Sequence, residues 1–158
     1  GRDVLEAGCG AGVGGAELAT RASLYHGTDS NHRNVEFARC LYPWLLWSAW
    51  DLNQPWQGSR FSVVVCVEAV EHVADPRLAI RNLFGAATRE VWFSTPNGSG
   101  KPRPPANPQH VVELTPFEVK EAVLAAAPGA LLEVYHWSKP QLLPLTTAVD
   151  PLLYKVTL

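Results

Sequence analysis

Residues 3–15 read Asp3-Val4-Leu5-Glu6-Ala7-Gly8-Cys9-Gly10-Ala11-Gly12-Val13-Gly14-Gly15, a short strand pattern that breaks into a run of glycines. Asp3–Ala7 reads as a first β-strand, and the segment after the glycines as a helix to about Ala22. Glycines at alternate positions let the backbone turn sharply and approach a ligand with no Cβ in the way. The helix start beyond them presents backbone N–H groups that the helix itself leaves unsatisfied. A turn of this kind can serve several nucleotides. Gly10-Ala11-Gly12-Val13-Gly14-Gly15 fits the G-x-G-x-x-G dinucleotide pattern, with Asp29 placed to hold a ribose. Counted from Gly8, the first glycine after the strand, the third glycine of that pattern falls on Val13.

Outward from this turn, strand-type and helix-type segments alternate, which predicts βαβ units and an α/β fold with a largely parallel sheet. Leu24–Thr28 is a second strand ending at Asp29, Asn34–Leu41 a helix stopped before Pro43, and Leu45–Ala49 a third strand ending at Asp51. Phe61–Val67 is the most evident buried strand, β-branched and nearly all apolar, as a central parallel strand requires. Asp75-Pro76 starts a helix with Asp as N-cap and Pro at the first helical position. Glu90–Ser94 is the next strand. Thr115-Pro116-Phe117-Glu118 is a capping box, with Leu114 and Val119 placed as a hydrophobic staple. Ala130–Trp137 and Leu152–Leu158 supply the last two strands. Between Glu90–Ser94 and the capping box, Thr95–Gln109 holds five prolines and two glycines. It follows a strand's C-terminal end, where α/β sheets bind their ligands, and a loop of that length is functional or disordered.

At 158 residues the expectation is one domain, with no internal repeat. A net charge of -2 gives no general attraction to nucleic acid or anionic membrane, although a local basic patch can still suffice for RNA. No apolar run approaches the length of a membrane span, and no secretory signal opens the chain. Cys9, Cys40 and Cys66 are odd in number and lack metal-pair spacing, so reduced thiols in a cytoplasmic setting are expected. The sequence contains no Met and begins at the first core strand, so it reads as a domain trimmed from something longer.

Further polar groups fall at later strand ends: Asp51 after the third strand and Glu68 after the fourth. A carboxylate after the second strand can accept both ribose hydroxyls, and one after the third can accept the exocyclic amine of adenine. That set suits an adenosine carrying no pyrophosphate. For the single residues plainer roles exist: a tight turn for the glycines, a helix cap for Asp29, a solvated turn for Asp51. Together, Glu6-Ala7-Gly8-Cys9-Gly10-Ala11-Gly12, Asp29, Asp51-Leu52, Glu68-Ala69-Val70-Glu71-His72-Val73 and Ser94-Thr95-Pro96-Asn97 resemble, in order and spacing, the motifs of class I S-adenosylmethionine-dependent methyltransferases. The resemblance runs from Val4 to the capping box at Thr115. It implies a Rossmann-like three-layer sandwich whose seven-stranded, mostly parallel sheet has an antiparallel last strand. It also implies cofactor contacts from Glu6, Gly8, Gly10 and Gly12 near the methionyl part, Asp29 on the ribose, and Asp51 with Leu52 around adenine, with Glu68 at the same edge. The family's usual one or two helices before the first strand are not in this sequence.

Methyl transfer from a sulfonium is an in-line displacement that needs the acceptor about 3 Å from the methyl carbon and, for a hydroxyl, a base for its proton. Glu68-Ala69-Val70-Glu71-His72 follows the fourth strand directly, and His110 follows the Pro-rich loop, so His72, His110 and Glu71 are the candidate catalytic groups. A second reading makes Glu68, Glu71, His72 and His110 a divalent metal site for Mg²⁺ or Mn²⁺. That pattern resembles metal-dependent methyltransferases acting on the 2′-hydroxyl at the 3′ ends of small RNAs. The wider pattern, Glu-His-Val-x-Asp-Pro and then His-Val-x-Glu-x-Thr-Pro, resembles bacterial O-methyltransferases of quinone and natural-product pathways more closely. Trp44, Trp47, Trp50 and Trp56 gather around the third strand as packing groups, with Trp50 the candidate for stacking on a flat ligand. Lys101 and Arg103 read as solvated loop charges.

The sequence therefore predicts an S-adenosylmethionine-dependent methyltransferase acting on a small-molecule hydroxyl or amine. The alternatives are a metal-dependent RNA 2′-O-methyltransferase, a catalytically silent cofactor-binding domain, and an NAD-linked oxidoreductase. The sequence fixes neither the acceptor nor the oligomeric state.

Overall fold

The computed structural model describes residues 1–136 and 151–158. In chain order these residues form β1 (Asp3–Ala7), α1 (Val13–Ala19), β2 (Leu24–Asp29), α2 (His32–Leu41), β3 (Leu46–Ala49) and β4 (Phe61–Cys66). A 3₁₀ turn (Val70–His72) follows, then α3 (Pro76–Ala86), β5 (Ala87–Thr95), α4 (Pro116–Ala126), β6 (Leu131–His136) and β7 (Leu152–Thr157). Trp137, the expected end of β6, lies outside the described residues.

The strands among the described residues make one seven-stranded sheet in the order β3-β2-β1-β4-β5-β7-β6. β1 to β5 are mutually parallel, and β7 inserts antiparallel between β5 and β6. The expected fold class is what the chain adopts. Right-handed crossovers put α1 and α2 on one face and α3 and α4 on the other. Two apolar clusters reflect those faces. Tyr25, Val35, Ala38 and Trp47 pack with Leu18 and Ala19. Leu5, Val64, Ile80, Leu83, Val91, Phe93, Val119 and Tyr154 form the larger group.

Local chemistry sets the boundaries. Asp75 caps α3 by accepting from the backbone N–H groups of Arg77 and Leu78, each at 3.0 Å, with Pro76 where no N–H is needed. The helix buries Ala79, Ile80 and Leu83; full burial of Ile or Leu contributes about 1.5–3 kcal/mol each. The Thr115–Glu118 capping box starts α4 as the sequence predicts, and Leu114 and Val119 are both buried. Three ends differ from expectation by two residues or more. α1 stops at Ala19, because the N–H groups of Thr20 and Arg21 fall back on the Glu17 and Leu18 carbonyls, three residues behind them. α2 starts at His32, because the Asn31 side chain accepts from Arg33 N and caps it. β5 starts at Ala87, which pairs with Phe61 across a bulge before Val63. No helix among the described residues is long and apolar enough to cross a membrane.

Candidate active site

Strand order reverses between β1 and β4, since β1 connects outward to β2 while β4 connects the other way to β5. Loops leaving the two strands diverge there and open a crevice, the usual ligand position in such sheets. Gly8, Gly10 and Gly12 take φ of +76°, +54° and +80°. Gly8 N and Cys9 N donate to Thr28 O at 2.8 and 2.9 Å, tying the turn to the end of β2. Gly10 N donates to Asp29 Oδ2 at 2.9 Å, while Asp29 Oδ1 accepts from Asn31 N and Asn34 Nδ2 at 2.8 and 3.2 Å. A Cβ on Gly8 would stand 2.6 Å from the Ala69 Cβ, so the β1 and β4 turns approach closely at this point.

The crevice is a cavity of about 230 Å³ whose walls include Gly8, Asp29, Trp50, Leu52, Glu68 and His72. Five of these are residues that the sequence singles out for the cofactor or for catalysis, and Trp50 is its candidate stacking group. Ser30, Ala69 and Val73 complete the wall; Ala69 and Val73 lie within the Glu68–Val73 motif, and Ser30 is a residue that sequence reasoning does not single out. Other expected residues stand off it. Glu6 is buried behind the turn, where it accepts from the Tyr25 hydroxyl beside Gly15. Burial pushes its carboxyl above the usual range, the Tyr25 bond opposing the shift. Asp51 is exposed and accepts from Asn53 N and Nδ2 at 2.9 and 3.0 Å. Burial, with Glu6 and Asp29 nearby, pushes the Cys9 thiol up to about 12 and leaves it no role as a nucleophile. A larger hollow of about 550 Å³ between α3 and α4 is walled by alanines, Leu78 and charges such as Arg77 and Glu121. None of its lining residues is one that the sequence singles out for the cofactor or for catalysis.

Glu68 is the one non-glycine residue with positive φ, +48°, among those described. A left-handed conformation costs an L-residue about 1–2 kcal/mol. Two bonds offset it: Glu68 N donates to Ser94 Oγ (3.1 Å), and Ser94 Oγ donates to Glu68 Oε1 (2.7 Å). Strain of this kind collects at functional sites. It also turns the Glu68 carboxylate toward β5 and away from the remaining candidates. Only Glu71, His72 and His110 gather, with one ligand atom from each lying within 4.8 Å of the others. The expected four-residue metal set is thus three residues in this structure, with Glu68 engaged by Ser94.

Glu71 is 1% exposed, and neither carboxylate oxygen has a hydrogen-bond partner. Burial pushes its carboxyl up, with the two imidazoles pulling it back. His72 Nδ1 lies 3.0 Å from the Gln109 carbonyl oxygen, which can only accept, so Nδ1 carries the proton. His72 Nε2 then carries the free lone pair, 3.8 Å from Glu71 Oε1, and His72 lines the cavity. The His110 ring stands edge-on to the His72 ring, centroids 4.8 Å apart. His110 is held at both nitrogens, by Glu113 Oε1 at 2.6 Å and Asn107 Nδ2 at 2.9 Å. The Pro-rich loop is tied down here: Val111 N donates to Glu71 O, Lys101 pairs with Glu113, and Arg103 with Glu118.

Residues 5–93 match the family model described as a methyltransferase domain. The chain belongs to the methyltransferase domain family. It is 33% identical over 133 residues to a Mycolicibacterium smegmatis protein named "probable S-adenosylmethionine-dependent methyltransferase", covering 80% of this chain and 51% of that protein. It is 31% identical over 112 residues to the ubiquinone biosynthesis O-methyltransferase of Pseudomonas fluorescens, covering 64% of this chain and 47% of that enzyme. The methyltransferase domain thus spans about half the length of the curated relatives it matches. Its fold is similar to that of an S-adenosylmethionine-dependent methyltransferase from Clostridium acetobutylicum, with a TM-score of 0.81 at 8% identity over 99% of this chain and 83% of that one.

Proposed function

We propose that this domain binds S-adenosylmethionine in the crevice between the β1 and β4 turns and transfers its methyl group to a hydroxyl, or an amine, of a small molecule. The observation that carries the reading is the cavity wall, which joins Gly8, Asp29, Leu52 and Glu68 to the open Nε2 of His72. The donor, when bound, supplies an electrophilic methyl on a sulfonium. Gly8 and Ala69 keep the crevice narrow, and a Cβ at position 8 would close it. Asp29 holds the ribose: its carboxylate offers about four acceptor sites, of which three are filled. The 3.2 Å Asn34 contact, the longest of the three, is the one that gives way to a second hydroxyl. Trp50 and Leu52 flank adenine, with Asp51 at the rim. His72 Nε2 would take the acceptor's proton as the oxygen–methyl bond forms and the sulfur–methyl bond breaks, the donor leaving as the neutral thioether S-adenosylhomocysteine, and Nδ1–H on the Gln109 carbonyl fixes the His72 tautomer.

Charge favours a small acceptor over RNA. Asp29, Glu68, Glu71 and Glu113 surround the site, while the loop cations Lys101 and Arg103 are paired with Glu113 and Glu118. A phosphate backbone needs cations to displace its counterions. The ubiquinone-pathway likeness agrees with a small-molecule acceptor, and the free cysteines Cys9, Cys40 and Cys66 agree with a cytoplasmic setting.

A second reading rests on Glu71, a buried carboxylate with no hydrogen bond facing two imidazoles. Glu71, His72 and His110 would hold Mg²⁺ or, better suited to imidazole, Mn²⁺, which would lower the pKa of a bound acceptor hydroxyl. His110 would first have to release Asn107 or Glu113.

Calorimetric and thermal-shift titration with S-adenosylhomocysteine tests the proposal, using wild type, Asp29→Ala and an NAD control. Saturation at a hundred times Kd should stabilise wild type by about 2.7 kcal/mol, and Asp29→Ala should abolish the effect. A folded wild type that binds NAD, or neither ligand, refutes it. Chelator arms with and without added Mn²⁺ separate the two readings of His72.

A further inference from the structure

We propose that Glu113 is a positioning residue of this site: it holds His110 as the Nδ1–H tautomer, so that the His110 ring stands fixed against the edge of His72. The proposal deepens the reading of His72 as the base and rests on it for its functional meaning. The sequence shows Glu113 only as the Glu of the His-Val-x-Glu-x-Thr-Pro pattern, with no role attached to it.

The hydrogen-bond network leaves one assignment. Gln109 N donates to Asn107 Oδ1 at 3.0 Å, which fixes the Asn107 amide with its NH₂ toward His110. That NH₂ can only donate, so His110 Nε2, 2.9 Å away, must be the bare nitrogen. The proton of a neutral ring then sits on Nδ1, facing Glu113 Oε1 at 2.6 Å, a length typical of a charge-assisted bond. Glu113 is itself 8% exposed, and its second oxygen lies 2.9 Å from Lys101 Nζ, so the Pro-rich loop delivers both the cation that holds the carboxylate and the amide that orients the ring. A chain of contacts runs Lys101–Glu113–His110–His72, and only its last member reaches the cavity.

Nitrogen-15 NMR of the histidine-labelled 158-residue chain tests this, with His110→Gln assigning the signal among the five histidines. Wild type should show His110 protonated at Nδ1 and bare at Nε2. Glu113→Gln keeps an acceptor oxygen and should preserve that form; in Asn107→Ala, where no amide donates to Nε2, Glu113 alone should still hold Nδ1–H, and adding Glu113→Leu to it should give a mixture of both tautomers. A wild-type His110 carrying its proton on Nε2 overturns the proposal, as does an Asn107→Ala protein that gives a mixture with Glu113 intact, or an Asn107→Ala, Glu113→Leu protein that retains Nδ1–H alone. The spectra are read without ligand. Failure of S-adenosylhomocysteine to bind would therefore sink the proposed function while leaving the role of Glu113 intact.

Discussion

Substituting alanine at Gly10 and at Gly12 separates the ligand-facing part of the turn from its packing. Both residues have positive φ, so each alanine costs about 1–2 kcal/mol of backbone strain. The unfolded chain loses freedom in both cases, which offsets about 0.4–1 kcal/mol. The surroundings then differ. A Cβ at Gly10 meets nothing within 4 Å, whereas one at Gly12 lies 2.6 Å from Trp47 Cη2 and 3.0 Å from the Ala38 Cβ, both in buried residues. Overpacking of that kind adds about 1–3 kcal/mol. Gly12→Ala should therefore melt about 2–12 °C below Gly10→Ala in a domain of this size. S-adenosylhomocysteine affinity should separate the other way under the proposed function: Gly10 N holds Asp29 Oδ2, the proposed ribose carboxylate, and a Cβ at Gly10 faces open space, so Gly10→Ala should weaken binding at least about tenfold, or 1.4 kcal/mol. Thermal melts and calorimetry measure both. Equal melting temperatures would refute the packing argument, and wild-type affinity in Gly10→Ala would refute the ligand-facing assignment.

Burial raises the Glu71 carboxyl, so the folded state binds its proton more tightly than the unfolded chain and loses stability as pH rises above about 4.5. Glu71→Gln should thus stabilise the chelator-treated protein at pH 7 by about 1–3 kcal/mol, and less at pH 4.5, in urea unfolding. Glu118 behaves oppositely: Arg103 above all holds its carboxyl down at about 2, giving stability that is present above 4.5 and lost as pH falls toward 2. Glu118→Gln keeps the capping box but removes the charge, and should cost about 1 kcal/mol at pH 7, since an exposed pair is screened, and nothing at pH 2. Asp75→Ala removes the α3 cap and should cost about 1 kcal/mol, read as a fall of about 2–4 °C in Tm.

What the sequence announced was local chemistry with a single solution. Asp75-Pro76 and Thr115–Glu118 start helices where such residues can, and the apolar Phe61–Cys66 segment can only be an interior strand. The glycine turn and the carboxylates after β2 and β4 were legible because strand ends collect at one edge of a parallel sheet. Less visible was anything decided by the side chain's direction. Glu6 carries the same motif signal as its neighbours, yet alternation turns it behind the turn to meet Tyr25. Glu68 and Glu71 look equivalent in Glu-x-x-Glu-His, but the left-handed backbone at Glu68 sends one to Ser94 and leaves the other unpaired inside. The sequence starts this strand at Glu90, and only the register of Ala87 against Phe61 extends β5 back to Ala87.

The insertion of β7 between β5 and β6 has a consequence for biosynthesis. While the chain emerges from a ribosome, β1 to β5 can pair as they appear, each against a strand already made. β6 cannot, because its strand partner, Leu152–Thr157, is translated after it. Until those residues clear the exit tunnel, the open edge of β5 remains exposed to any passing strand. A stalled or nicked product lacking β7 would carry the cavity-forming turns of β1 and β4 intact and still be prone to aggregate.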